Sequence, residues 1–487
     1  MKLTNKITSK GSSEIKKVKQ INKTMLVNGG NLDLYLDLFL TDENGNKEHV
    51  LTKKADSLVA NFLRILFVQM GGKNDEAFPT GYRYSSEKTI TSTSSGAGGA
   101  IRVYHDSPDS LMPDTGKAEL YGTSDPNIDG VYDYVKVDGY RIDLTGTTYS
   151  ASTTVGSVRK WASYTGVNAP DEDNFDTPLI EVGYGTTAVG INDFCLAKRI
   201  ANSSNEGGLT YNSMITAQDT NDATSAQITF TRSFTNNTGA TTVVNEIGMR
   251  CSFDSAGGSV FIMRDLIPSS LNVSTGKTLT VNYRLKTELD SGLDPGGFTA
   301  SFMRLLYRQF AQTTRAAFDI NNVSRSEDQG HATLKVVGVG GKNYVGSSSN
   351  QATINEPGWK QGLVVGTGNT AVSMADYFLE TVIEHGITSG KMVYYGGLAE
   401  NFTIGADYAQ FDIVKAIGNE SGAPISVNEY ALTAGGHDAD AGDDSDIPEY
   451  LYMISRNVLS ASETIEDGEI LKLTYSIKVI VTGGASS

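Results

Sequence analysis

Cysteine, tryptophan, histidine and positive charge are all scarce in this chain. Its 487 residues include two cysteines, two tryptophans and five histidines. Cys195 and Cys251 sit far apart and in no C-x-x-C pattern, which excludes a disulfide framework or a zinc site of their own. Both are expected to be reduced core thiols. His49, His105, His331, His385 and His437 form neither H-x-x-x-H nor H-E-x-x-H, so zincin chemistry is excluded. No G-x-S-x-G elbow is present. No apolar run reaches the roughly 18 residues a membrane span needs, and no basic-then-apolar leader predicts standard secretion. Forty basic residues face 56 acidic ones, a net charge of -16. A surface of that sign repels phosphate backbones, so no nucleic-acid partner is expected.

The acidity is uneven. Lys2, Lys6, Lys10, Lys16, Lys17, Lys19 and Lys23 face only Glu14 in the first 23 residues, leaving the arm about +6 and the remainder about -22. Ile7, Ile15, Val18 and Ile21 give this arm something to bury. It reads either as a solvated tail or as an arm that docks on an acidic neighbouring subunit. The rest of the chain is rich in turn formers: 52 glycines, with Thr, Ser and Asn between apolar runs. That composition predicts a soluble, mainly β protein, and the length suggests about three domains.

The chain repeats itself. V182-G-Y-G-T-T-A-V-G-I-N-D-F-C-L196 returns as V365-G-T-G-N-T-A-V-S-M-A-D-Y-F-L379, 183 residues on. Val244-Asn245-Glu246 returns as Val427-Asn428-Glu429 at the same offset. Arg264, Gly276 and Tyr283 return as Arg456, Gly468 and Tyr475 at an offset of 192. The additional residues fall in an acidic loop, G435-G-H-D-A-D-A-G-D-D-S-D-I447. Upstream, L58-V-A-N-F-L-R-I-L-F-V-Q-M70 matches F298-T-A-S-F-M-R-L-L-Y-R-Q-F310 at an offset of 240, with apolar residues at helical spacing in both. Ser57 is placed to cap the first helix, and Gly71-Gly72 to end it.

Copy one therefore holds about 57 residues that copy two lacks. In this stretch, apolar and polar residues alternate around D138-G, a hairpin signal. The predicted organisation is a basic arm (1–30), a first β-sandwich module (31–79 and 176–288), a small inserted β subdomain (80–175) and a second β-sandwich module (289–487). The predicted fold is mainly β with minor α: two tandem antiparallel β-sandwich modules, each with a packed amphipathic helix. Each module is read as a strand (Leu34–Leu40 in copy one), the helix, a variable region, the glycine turn with a short helix, and four strands.

The glycine turn invites a dinucleotide reading. That fingerprint needs a helix opening within the glycines, so that backbone N–H groups meet a pyrophosphate. Here β-branched Thr370 and Val372 follow, and the cap falls later, at Asn192 or Ser373, beside Asp193 and Asp376. A turn that serves the scaffold must recur in every copy, so it is read as structural, with no catalytic or cofactor-binding residue assigned. G338-V-G-G-K342 lacks the spacing of a phosphate loop. Glu246 and Glu429 are read as acceptors for turn N–H groups, with Arg264 and Arg456 as their partners. Asp438, Asp440, Asp443, Asp444 and Asp446 are the metal candidates, for calcium, although their order departs from D-x-D-x-D-G. The competing reading is a solvated acidic loop that discourages edge-to-edge aggregation.

Taken together, the G-x-G-x-T-A-V turn, the V-N-E strand, R-D and the closing G-x-x-L-x-V-x-Y strand resemble a β-rich module of tailed-bacteriophage structural proteins. L32-D-L-Y-L-D-L-F-L-T-D-E-N-G-N46 and G122-T-S-D-P-N-I-D-G-V-Y-D-Y-V-K-V-D-G-Y-R-I-D-L144 are similar to other segments of such proteins. The resemblance covers most of residues 30 to 483. It implies assembly rather than catalysis: a virion protein of the tail, collar or fibre base, forming a ring or other symmetric oligomer with other virion proteins. A capsid decoration protein is the alternative reading. A carbohydrate-binding adhesin or depolymerase in contact with the host surface is a further one, for which Trp161 and Trp359 offer few sugar-stacking platforms.

Overall fold

The computed structural model describes residues 17–27, 31–55, 58–70, 81–84, 88–108, 114–125, 127–150, 152–164, 176–220, 224–252, 259–289, 296–311, 316–326, 358–436 and 450–481. The first 16 residues, Ser57, Gly71-Gly72, the 338–342 run and all five aspartates of the acidic loop lie outside them.

The chain opens with β1 (Val18–Val27), β2 (Leu32–Thr41), β3 (Lys47–Lys54) and helix α1 (Ala60–Gln69). The insertion supplies β4 (Gly81–Tyr84), β5 (Lys88–Ser95), β6 (Ile101–His105), β7 (Thr115–Tyr121), β8 (Gly130–Asp138), β9 (Arg141–Leu144) and β10 (Ser157–Tyr164). Copy one resumes with β11 (Asp176–Gly183), β12 (Thr210–Tyr211), β13 (Ile215–Thr220), β14 (Ser225–Thr235), β15 (Thr242–Ser252), β16 (Ser259–Val273) and β17 (Thr278–Glu288). Copy two runs through β18 (Gly296–Phe298), α2 (Ala300–Ala311), β19 (Ala316–Phe318), β20 (Ser324–Ser326), β21 (Gly362–Gly366) and β22 (Val393–Ile404). It ends with β23 (Tyr408–Gly418), β24 (Ile425–Gly436), β25 (Tyr450–Ile465) and β26 (Ile470–Ile480).

The protein is mainly β, but the halves are not two self-contained sandwiches. Each copy keeps a small sheet of its own, β11-β15-β16 in one and β18-β25-β24-β21 in the other. The large sheet is common to both, in the order β12-β14-β17-β2-β1-β26-β23-β22. One apolar cluster fills the space between and draws on both copies: Phe62, Leu66 and Phe230 from one, Phe302, Phe411 and Ile477 from the other.

The helices explain why the core is shared. Each is pinned at its start by its own copy. Val59 and Ala60 donate N–H to Ile262 O and Ile191 O, and Thr299 and Ala300 donate to the equivalent Ile454 O and Met374 O. Each then reaches the other copy near its end. Phe67 of α1 packs at 5.2 Å on both Phe402 and Phe411, and Phe310 of α2 lies edge-on to Phe230 at 4.8 Å. Gln69 and Gln309, equivalent by the repeat, exchange side-chain hydrogen bonds of 3.1 and 3.3 Å. An element that meets its own counterpart reciprocally marks a pseudo-twofold axis.

The part of the Lys/Ile arm that is described, Val18–Val27, is a strand. β1 lies parallel to β26 along its whole length, from Val18↔Ile470 to Val27↔Val479, and meets β2 only at Val27↔Leu32. Residues 18–41 thus complete both halves of the large sheet in succession, β1 on copy two and β2 antiparallel to β17. Lys19 binds Glu463 at 2.8 Å, so the acidic surface the arm meets here belongs to its own chain. Among the described residues, copy two has no leading strand of its own like Leu34–Leu40.

The insertion closes on itself. β10 pairs with both β5 and β7, so β5, β6, β9, β8, β7 and β10 form a barrel, with β4 added at β10. The D138-G hairpin joins β8 and β9 as expected. Ile90, Val103, Leu120, Tyr134, Ile142 and Val158 make its separate core.

Candidate functional site

The glycine turn is occupied by the chain itself. Glu246 on β15 is fully buried beneath it. Its Oε1 accepts the N–H groups of Gly185 at 3.0 Å and Lys198 at 2.7 Å, and Oε2 accepts Ala197 N–H at 3.0 Å. Glu429 repeats this with Gly368 at 3.1 Å, Thr381 at 3.0 Å and Glu380 at 3.3 Å. The N–H groups that a nucleotide phosphate would need are therefore committed to a carboxylate. The glycines are required by that same carboxylate. A Cβ on Gly185 would sit 2.4 Å from Glu246 Oε1, and one on Gly368 would sit 2.5 Å from Glu429 Oε1.

An arginine completes each lock. Arg264 binds Glu246 at 2.9 Å and Asp193 at 2.7 Å, and Arg456 binds Glu429 at 2.8 Å and Asp376 at 2.7 Å. Burial pulls both guanidinium pKa values down, but the paired carboxylates outweigh it and raise them. The short helix expected after each turn is absent. Asp193 and Asp376 accept the Gly190 and Ser373 N–H groups in tight turns and give their other contacts to the arginines. The charge expected to favour a helix start is spent on a tertiary ion pair instead. Gly368→Ala should cost about 1–3 kcal/mol through overpacking, whereas Gly239→Ala, with nothing within 4 Å of its added Cβ, should change stability little; urea titration of both variants checks this.

A second polar cluster was not anticipated from the sequence. Where the barrel meets the body, Glu181 on β11 binds Arg159 of β10 at 3.0 Å, Arg199 at 3.1 Å and Arg250 of β15 at 2.9 Å. Burial pushes the Glu181 pKa up, but the three guanidiniums prevail and hold it far below the usual carboxylate range. Arg199 and Arg159 also lie over the Tyr121 ring, at 4.5 and 5.3 Å. Glu119 of β7 faces the same cluster, with Arg159 Nη1 at 3.8 Å. Burial pushes its pKa up to about 7 against the pull of Arg159 and Arg199.

One sequence signal could have revealed this joint. At the equivalent positions copy two has Val364, Val382 and Thr433 in place of Glu181, Arg199 and Arg250. The charged set belongs only to the copy that carries the barrel. D125-x-N127-x-D129-G130 has the order of a calcium loop, but its last aspartate is used within the protein. Asp129 is turned onto Gly122 N–H at 3.0 Å, Thr123 N–H at 3.1 Å and the Tyr184 hydroxyl at 3.2 Å, a further link between barrel and body.

Cys195 and Cys251 are buried and form no disulfide, and burial raises the Cys195 thiol. His105 accepts a 2.8 Å hydrogen bond from Lys160 inside the barrel, its Nδ1–H being committed to Ser107 O. Among the described residues, no three or more His, Cys, Asp or Glu side chains are grouped to hold a metal ion. Among the same residues, no helix is long and apolar enough to cross a membrane. No family model, curated protein or solved structure matches this chain.

Proposed function

We propose that the chain is a structural component of a tailed-bacteriophage virion, a tail, collar or fibre-base protein that assembles into a ring or other symmetric oligomer. The observation that carries this reading is that the residues repeated between the copies are spent on shape. Glu246 and Glu429 fill the turns, Arg264 and Arg456 lock them, and Asn236 and Asn419 each tie a turn to the strand beside it. A duplicated β module retained in this way suits a scaffold, and the motif resemblance points to the same class.

The large sheet offers the contact surfaces. Among the described residues, β13 pairs with no strand but β14 and β22 with none but β23, so both ends of the sheet present strand edges. Ile215 and Leu398, equivalent by the repeat, stand on these edges and are 62% and 38% exposed. Edge pairing between chains would use both. The purified chain is expected to form a closed oligomer by native mass spectrometry and negative-stain microscopy, and replacing both Ile215 and Leu398 with lysine should shift it to smaller species. A monomer that binds phage capsids would favour the decoration reading, and hydrolysis of surface polysaccharide would favour the depolymerase reading.

A further inference from the structure

The barrel is held to the body by more arginine than one carboxylate normally needs, and a second carboxylate waits beside it. Glu119 is 1% exposed, and neither of its carboxylate oxygens has a hydrogen-bond partner among the described residues. Arg159, Arg199 and Arg250 all converge on Glu181, and the Arg159 Nη1 that comes to 3.8 Å of Glu119 stops beyond hydrogen-bond distance. The other groups that act on Glu119 or its arginines are Glu246, which opposes its ionisation, and the buried Cys195, Tyr121 and Tyr211.

We propose that the joint between barrel and body is a proton-dependent coupling, in which a protonated Glu119 locks the barrel down and its ionisation loosens it. This goes beyond the assembly role and stands without it. As a neutral acid, Glu119 leaves the arginines to Glu181. As an anion in the closed joint, it must either stay without hydrogen bonds or draw Arg159 or Arg199 out of the positions from which they hold Glu181, and both are unfavourable in a buried site. Opening the joint hydrates the anion and removes the conflict.

The sign follows. An ordinary glutamate titrates near 4.5, and the closed joint holds Glu119 at about 7. The closed state therefore binds the additional proton, and its advantage is lost as pH rises through that interval. The opening equilibrium should rise roughly tenfold between pH 6 and pH 8.

Hydrogen exchange of the full chain, corrected for intrinsic rates, tests this in peptides from β7, β10 and β11. The expected result is that rise in wild type and a flat profile in Glu119→Gln, which mimics the neutral acid. Glu119→Met, which fills the space with no titrating group, gives the same expectation should the amide fail to fold. A flat wild-type profile, or a variant with the wild-type slope, would overturn the proposal.

Discussion

Glu246→Ala should lower the unfolding free energy by about 3–5 kcal/mol, and Glu429→Ala by a similar amount. Each glutamate is fully buried and bonds three backbone N–H groups as well as an arginine. Removing it takes one of two anions from a buried guanidinium and orphans the turn donors, which costs more than the pair itself contributes. Asp193 stays in contact with Arg264, so the guanidinium keeps one partner and the loss stays finite. Glu246→Gln separates charge from shape: it retains a side-chain oxygen for the turn but leaves Arg264 without its second anion, and should cost less. Thermal and urea unfolding of the three variants checks the order. If Glu246→Ala and Glu429→Ala differ by more than the error of repeated measurements, the locks are not equivalent and the duplication has been reassigned to different tasks.

Much of this lock could be read from the sequence, because a motif repeated at a constant offset identifies the residues that a shared backbone needs. Both helices were legible for a similar reason: Leu58, Phe62, Ile65 and Leu66 keep a helical period that recurs 240 residues later. Periodicity says which face is apolar, not what covers it. Nothing in the Phe67 side of α1 indicates that Phe402 and Phe411, more than 300 residues away, will pack there. The strand β1 was illegible for the same reason, since its parallel partner is the final strand. The short helix expected behind an Asn192 or Ser373 cap is missing because the charge of Asp193 and Asp376, which would favour a helix start, is claimed by a buried arginine from a distant strand. The ionic joint was legible only as a contrast between copies, Glu181 against Val364 and Arg199 against Val382, and a search for sameness passes over contrast.

Phe67→Ala provides the sharpest test of the shared core. Phe67 is fully buried on a copy-one helix and touches copy-two strands. Truncating it should cost about 3–5 kcal/mol from lost contacts and the cavity left behind. Were the copies independent sandwiches, that loss would appear only in copy one, and copy two would unfold as before. With one sheet and one apolar cluster running through both, the whole body should unfold in a single transition at lower urea, and exchange protection should fall in β22 and β23 as well as in α1. Phe310→Ala is the mirror experiment, because its ring rests on Phe230 in copy one. It should loosen β14 although it lies on a copy-two helix. Two separate transitions in either variant, or protection lost only within the mutated copy, would contradict a core held in common across the pseudo-twofold axis.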